Sequence, residues 1–215
     1  MKKRMKQTAA VAITMGLALS GATGAYGSAA LQPVTTDEVT AEASGVETTL
    51  NGTIKATTLS VTIPLTTAFD IDPTKYDKDD ANVQIGSNQS SGYKIVNNSA
   101  VPVYVYVSGV TVPTSGVTLV DKVDSLTANK SLMLAISQKT AATASDISDT
   151  SFWLKTPMGA GDKYYMDSTR ANKGKLAANG GTMELKLFGM TQNGWSNAET
   201  FAVKPSFTVT VTEPS

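Results

Sequence analysis

Apolar and polar residues alternate in several short segments of this chain. The clearest is the run VPVYVYVS at residues 101–108, in which four valines share the odd positions. A period of two places one side of a β-strand in a core and the other side outside. This run therefore predicts a half-buried strand, and we expect Gly109 to interrupt it before the pattern resumes at Val110.

The same alternation recurs elsewhere along the chain. Leu59, Val61, Ile63 and Leu65 predict a strand face near the start, and Pro64 there indicates an edge or a strand end. Shorter segments with the pattern are 117–119, 132–136 and 183–187. In the longest segment, 201–211, the large apolar residues occupy odd positions. Pro205 within it cannot donate to a ladder, which predicts an edge strand or a bend.

Turn-forming sequences separate these segments. They are Gly86-Ser87-Asn88, Asn97-Asn98-Ser99, Pro113-Thr114-Ser115-Gly116, Asn179-Gly180-Gly181 and Gln192-Asn193-Gly194. Short alternating strands joined by frequent turns predict an all-β fold, here an antiparallel β-sandwich of the jelly-roll type. Only residues 140–151 suggest a helix, and a short one.

The first thirty residues have the three-part order of a secretory signal peptide. Lys2, Lys3, Arg4 and Lys6 precede an apolar run at 8–19, and small residues follow it. A membrane-spanning helix needs about 20 apolar residues, more than this run provides. We therefore expect residues 1–30 to be removed on export, with cleavage after Gly27 or Ala30. Polar residues 31–55 predict a flexible or donor-strand-like arm, and 56–215 the sandwich domain.

Composition excludes several classes of function. The chain contains no cysteine and no histidine, which removes disulfides, the commonest general base and the commonest metal ligand. Loss of the signal peptide leaves 14 basic and 18 acidic residues, a net charge of −4 that gives no electrostatic reason to bind nucleic acid. The sequence identifies no catalytic, cofactor-binding or metal-binding residue, and we expect the chain not to be an enzyme.

An acidic segment is the first candidate for ligand chemistry. It is FDIDPTKYDKDD, with Asp70, Asp72, Asp77, Asp79 and Asp80. Calcium favours carboxylates that converge from one loop, but the spacing does not match an EF-hand, and Lys75 and Lys78 dilute the charge. A solvated connecting loop and a loose calcium site are the two interpretations. Glycoside hydrolysis needs a pair of acids across a cleft, and nothing in the sequence marks two of these acids as lining one.

Four aromatic residues are the second candidate. Trp153, Tyr164, Tyr165 and Trp195 could form a platform on which a sugar stacks, and Trp195 follows the turn sequence Asn193-Gly194. Phe152 and Trp153 would face opposite ways if they lay on a strand. Aromatic residues of a sandwich also pack in its core or rim, so both interpretations stay open.

Two motifs resemble secreted β-sandwich proteins of Firmicutes cell surfaces. Residues 61–73 have the form V-x-I-P-x-x-x-x-F-x-I-D-P, and residues 95–105 the form I-x-N-N-S-x-x-P-V-x-V. The chain is also distantly similar to the TasA/camelysin group of biofilm matrix proteins. That resemblance implies a signal peptide, a jelly-roll-like domain and fibres in which one subunit's N-terminal strand completes the next subunit's sheet. Protease activity, with which camelysin has been associated, is not carried over, because the chain lacks histidine.

These observations favour a secreted structural protein of the bacterial cell surface or extracellular matrix. It would act by homo-oligomerisation through strand addition, or by contact with the cell wall. The alternative is a module that binds extracellular polysaccharide or another surface ligand. We expect neither nucleic acid nor a membrane span among its interactions.

Overall fold

A computed structural model describes residues 59–215. The predicted signal peptide and arm lie outside the described residues. The strands are β1 (Val61–Thr62), β2 (Lys94–Asn97), β3 (Val103–Thr111), β4 (Thr118–Leu119), β5 (Ser131–Ser137), β6 (Lys175–Leu176), β7 (Gly181–Glu184), β8 (Lys186–Thr191) and β9 (Lys204–Thr210). The helical elements are α1 (Ala144–Ser148) and the 3-10 turns Pro73–Lys75, Val123–Thr127 and Thr150–Phe152.

The nine described strands form three sheets of three strands each. Their orders are β1-β2-β7, β6-β3-β9 and β4-β5-β8. Every pairing is antiparallel except that of β4 with β5, which is parallel. The structure is therefore all-β, as the alternating pattern predicts, although the sandwich is not antiparallel throughout.

One apolar core is shared by all three sheets. Val103, Val105 and Val107 of β3 are fully buried, as their shared odd positions predict. They belong to one cluster with residues from the other sheets, among them Ile95, Leu132, Leu134, Ile136, Met183 and Leu187. Each such side chain stabilises the fold by about 1.5–3 kcal/mol when it leaves water. The alternating strands therefore converge on a single interior.

A second apolar cluster lies on the other face of the sheet that contains β5. Met133 and Ala135 of β5 point into it and are fully buried, although the alternation predicts that they face outward. Phe152, Trp153 and Ile147 cover them from α1 and the 3-10 turn that follows it. Strand β5 is consequently buried on both faces along its whole length.

The short helix forms within residues 140–151, as the sequence predicts. The Asp146 carboxylate accepts a hydrogen bond from the backbone N–H of Thr143 (2.9 Å), just before the first helical turn. Lys139 Nζ donates to both oxygens of the same carboxylate at 2.6 and 2.7 Å. Burial alone would raise the pKa of Asp146, but the hydrogen bonds from Lys139 and Thr143 outweigh it and lower that pKa. This ion pair fixes the helix against the end of β5.

Two strands differ from the pattern at their ends. Strand β1 spans two residues, and Leu65, which alternation places in the core, is 98% exposed. Pro64 explains this difference, since it cannot donate to a ladder and so ends the strand. Gly109 does not end β3, because the strand continues to Thr111 through a bulge between Val107 and Gly109.

The expectation for Pro205 is confirmed. Strand β9 pairs with β3 and, among the described strands, with no other, so Pro205 lies on an edge strand.

The chain changes sheets at Leu185, which separates β7 from β8 within a segment predicted as one strand. Within residues 59–215 no helix has the length and apolarity needed to cross a bilayer.

Gly174 offers a test of how closely β3 is packed. Its φ is +71°, and an added Cβ would lie 1.9 Å from the carbonyl oxygen of Val105. We expect Gly174→Ala to lower the free energy of unfolding by about 2–5 kcal/mol, because backbone strain and a clash combine. The measurement is equilibrium denaturation in urea.

Gly92→Ala is the matched control. Gly92 has a φ of +75°, but an added Cβ would meet nothing within 4 Å. It should therefore cost only the conformational strain, about 1–2 kcal/mol. Equal losses in the two variants would show that β3 is not closely packed against Gly174.

Candidate functional site

The acidic segment does not converge on one point. Its carboxylates mostly bind their own turns. Asp72 accepts hydrogen bonds from the N–H (3.0 Å) and hydroxyl of Thr74, and Asp80 accepts from the N–H of Asn82 (2.8 Å). The pKa of Asp72 is lowered, chiefly by the hydrogen bond from the Thr74 hydroxyl. No group of three acidic side chains placed to hold a metal ion occurs within the described residues. The geometry there is that of a capped connecting loop.

The four candidate aromatic residues do not form one platform. Trp153 and Tyr164 are buried in the core, with Trp153 only 1% exposed. Tyr165 packs edge-on against Tyr106, with ring centroids 6.0 Å apart. Trp195 packs against Phe201. The interpretation of a shared sugar-stacking surface is therefore wrong for Trp153 and Tyr164, because both rings serve the interior.

Phe152 and Trp153 do not face opposite ways across a strand. Both are buried, and their rings meet edge-on with centroids 5.1 Å apart. The reason is that Phe152 ends a 3-10 turn, so the two residues do not follow strand geometry.

Two concave regions lie on the surface instead. The first is an apolar groove of about 500 Å³ between residues 63–67, which follow β1, and residues 201–207, which include the first half of β9. Leu134, Ile136 and Leu187 of the core lie along it. Leu65 lines the same groove while remaining almost fully exposed. An exposed apolar side chain and buried core residues thus line the same groove.

The second region is a cavity of about 630 Å³ between residues 67–73 and 195–201. Three aromatic rings line it. Phe69 meets Phe201 edge-on at 5.6 Å, and Trp195 lies tilted against Phe201 at 5.1 Å. Around them are exposed polar side chains, including Asp70 and Asn197. The cavity therefore combines an aromatic surface with hydrogen-bonding groups, as small-molecule sites commonly do.

Hydrogen bonds hold both walls of this cavity. The Trp195 indole N–H donates to the Thr191 hydroxyl at 2.6 Å. Lys130 pairs with Glu199, and this hydrogen bond is the chief reason that the pKa of Glu199 is lowered. On the opposite wall the Asp70 N–H donates to the Asn88 carbonyl at 2.8 Å. The 195–201 loop is thus tied to β8 and to the residue before β5, and the 67–73 loop is tied to the turn that contains Asn88.

The sequence analysis singled out three residues that line this cavity, Trp195, Asp70 and Asp72, and missed the other two aromatic rings. Trp195 was a candidate because it follows a turn, whereas Phe69 and Phe201 were assigned to a motif and to a strand face. Nothing in the spacing indicates that Phe69 and Phe201 meet, because they are far apart in sequence and become neighbours only through the fold. The carboxylate of Asp70 was considered only for calcium.

The Tyr164 hydroxyl joins separate parts of the core. It accepts a hydrogen bond from the Ile136 N–H (3.0 Å), and its oxygen lies 2.8 Å from the Phe152 carbonyl, to which it can donate. Burial raises the pKa of Tyr164, so the phenol stays neutral. It therefore links β5 to the 3-10 turn that follows α1.

This role predicts the effect of removing one hydroxyl. Tyr164→Phe should lower the free energy of unfolding by about 1–3 kcal/mol, because it leaves buried backbone groups without a partner. Tyr165→Phe, in the half-buried neighbouring tyrosine, should change it by less than about 0.5 kcal/mol. Urea denaturation of both variants checks this, and a loss confined to Tyr165→Phe would contradict it.

Comparisons with protein-family models, with curated proteins and with solved structures gave no match to this chain. The resemblance to the TasA/camelysin group stays a prediction from its short motifs.

Proposed function

We propose that the chain is a secreted structural protein of the bacterial cell surface or matrix, and that it self-associates by strand addition. The observation that carries this proposal is the apolar groove between residues 63–67 and 201–207. The signal-like order of residues 1–30 supports export, and the TasA-like motifs support a matrix role.

The groove lies beside two strands with free edges. Among the described strands, β1 pairs with β2 alone and β9 pairs with β3 alone. An edge strand presents unpaired backbone donors and acceptors that can recruit an extended segment. A segment placed in the groove would gain backbone hydrogen bonds and cover Leu65 and the core residues below.

The chain carries a segment suited to that place. Within residues 46–55, the large apolar residues Val46, Leu50 and Ile54 occupy even positions, while Glu47, Asn51 and Lys55 occupy odd ones. As an extended strand this segment would have one apolar face. We propose that it enters the groove of a second copy, because a repeated head-to-tail contact of this kind builds a filament.

Deletion of residues 31–55 tests the proposal. We expect the full mature protein to form filaments by electron microscopy and the deletion variant to stay monomeric. Far-ultraviolet circular dichroism should show the same β-rich fold in both. Filaments formed equally well by the deletion variant would overturn strand addition by the arm.

A point variant tests the groove without disturbing the core. Leu65→Asn should abolish assembly and leave the free energy of unfolding within about 0.5 kcal/mol, since the side chain is already in water. The matched control is Val83→Asn, which alters another exposed apolar residue outside the groove and should assemble normally. Normal assembly of Leu65→Asn would exclude this groove as the contact.

Export gives a separate prediction. Expressed with its full sequence in a Gram-positive host, the protein should be recovered from the medium or cell surface with Ser28 or Leu31 as its first residue. Mass spectrometry of the intact protein measures this. Recovery from the cytosol with residues 1–30 attached would contradict the secreted assignment.

A further inference from the structure

The cavity between residues 67–73 and 195–201 has a chemistry that self-association does not use. Its lining differs from the apolar groove because exposed polar side chains surround an aromatic centre. Its volume of about 630 Å³ falls in the range of roughly 300–1,000 Å³ that is usual for small-molecule sites. We therefore considered which ligand would satisfy both kinds of surface.

The aromatic part favours a ligand with flat apolar faces. Trp195 is half-buried, so part of its ring surface is available, while Phe201 supports it from one side. Phe69 extends the aromatic surface through its edge contact with Phe201. The C–H faces of a sugar ring can pack against such a surface and lose contact with water there.

The polar part favours a ligand rich in hydroxyl groups. Asp70 is exposed, and its carboxylate has no hydrogen-bond or ion-pair partner among the described side chains. Asn197 offers both a donor and an acceptor, and Ser196 and Thr200 add exposed hydroxyls. Hydroxyl groups donate and accept, so they can pair with every member of this set.

Charge argues against an anionic ligand. The other two carboxylates of the lining are already paired, Asp72 with Lys75 and Glu199 with Lys130. Asp70 therefore contributes a single negative charge, which would repel an anion. A hydrogen bond from a sugar hydroxyl to this carboxylate is charge-assisted and correspondingly strong.

The walls hold this arrangement before any ligand arrives. Trp195 is oriented by its hydrogen bond to Thr191, and the Asn193 carbonyl accepts from the Lys130 N–H at 2.8 Å. Gly194 has a φ of +84° and approaches Asn129 so closely that an added Cβ would lie 2.8 Å from its side chain. A loop fixed in this way loses little conformational freedom on binding.

We propose that this cavity is a binding site for a neutral saccharide, with Trp195 as the stacking ring and Asp70 and Asn197 as hydrogen-bonding residues. The proposal does not rest on filament formation, because Trp195, Asp70 and Asn197 do not line the groove. It supplies a means by which an extracellular protein contacts polysaccharide.

Tryptophan fluorescence provides a direct test. The chain has two tryptophans, and Trp153 is 1% exposed, so a ligand in the cavity should alter chiefly the emission of Trp195. The probes are the β-1,4-linked tetramers of glucose and of N-acetylglucosamine, titrated into the mature protein. We expect a saturable change with at least one of them, and protection of Trp195 from acrylamide quenching.

Matched variants locate the site. Asp70→Ala and Asn197→Ala should each weaken binding, the former by about tenfold or more because it removes a hydrogen bond to a charged group. Asp79→Ala, which removes an exposed carboxylate outside the cavity, should bind as the parent does. Leu65→Asn, which is expected to prevent assembly, should also retain binding, so that failure of the two proposals can be told apart.

Three outcomes would overturn the proposal. One is the absence of a saturable change with both tetramers. Another is unchanged affinity in Asp70→Ala and Asn197→Ala. The third is binding of butylammonium in place of either tetramer, which would assign the aromatic rings and Asp70 to a cation instead.

Discussion

The burial of β5 on both faces is the constraint on which the rest of the fold depends. Leu132, Leu134 and Ile136 enter the core shared by the three sheets, while Met133 and Ala135 enter a second cluster. A strand with no face in water needs a cover on each side. The sheet of β3 contributes to one cover, and α1 with the turn after it provides the other. Tyr164 connects β5 to that turn through hydrogen bonds that solvent cannot replace, because its hydroxyl is buried.

The all-β class was predictable because a period of two is a direct consequence of strand geometry. The prediction from alternation was most accurate for β3, because its valines face one core and the residues between them are chemically different. It was incomplete for β5, where Met133 and Ala135 are themselves apolar, a composition that indicates burial on both faces. It failed at Leu65, because Pro64 ends pairing while the apolar pattern continues. Local alternation thus predicts strands well, but it does not show which faces are covered.

The candidate sites were harder to predict, for a different reason. Each is formed by two segments that are far apart in the sequence, near residues 63–73 and 195–207. No spacing within either segment reveals the other. The acidic segment looked suited to a metal because its carboxylates are close in sequence, yet they cap successive turns. Trp153 and Tyr164 looked available to a ligand because they are aromatic, yet both rings are buried in the interior.

The groove and the cavity are adjacent, and this has a consequence for the two proposals taken together. Phe69 and Phe201 line both regions, and their edge-on contact forms part of the wall between them. A segment in the groove and a saccharide in the cavity would therefore contact the same pair of rings. Any shift of Phe201 that one of them causes changes the surface that the other meets. Binding equilibria that share a residue in this way are coupled, and the coupling is reciprocal. Self-association and saccharide binding would then influence each other through one aromatic contact.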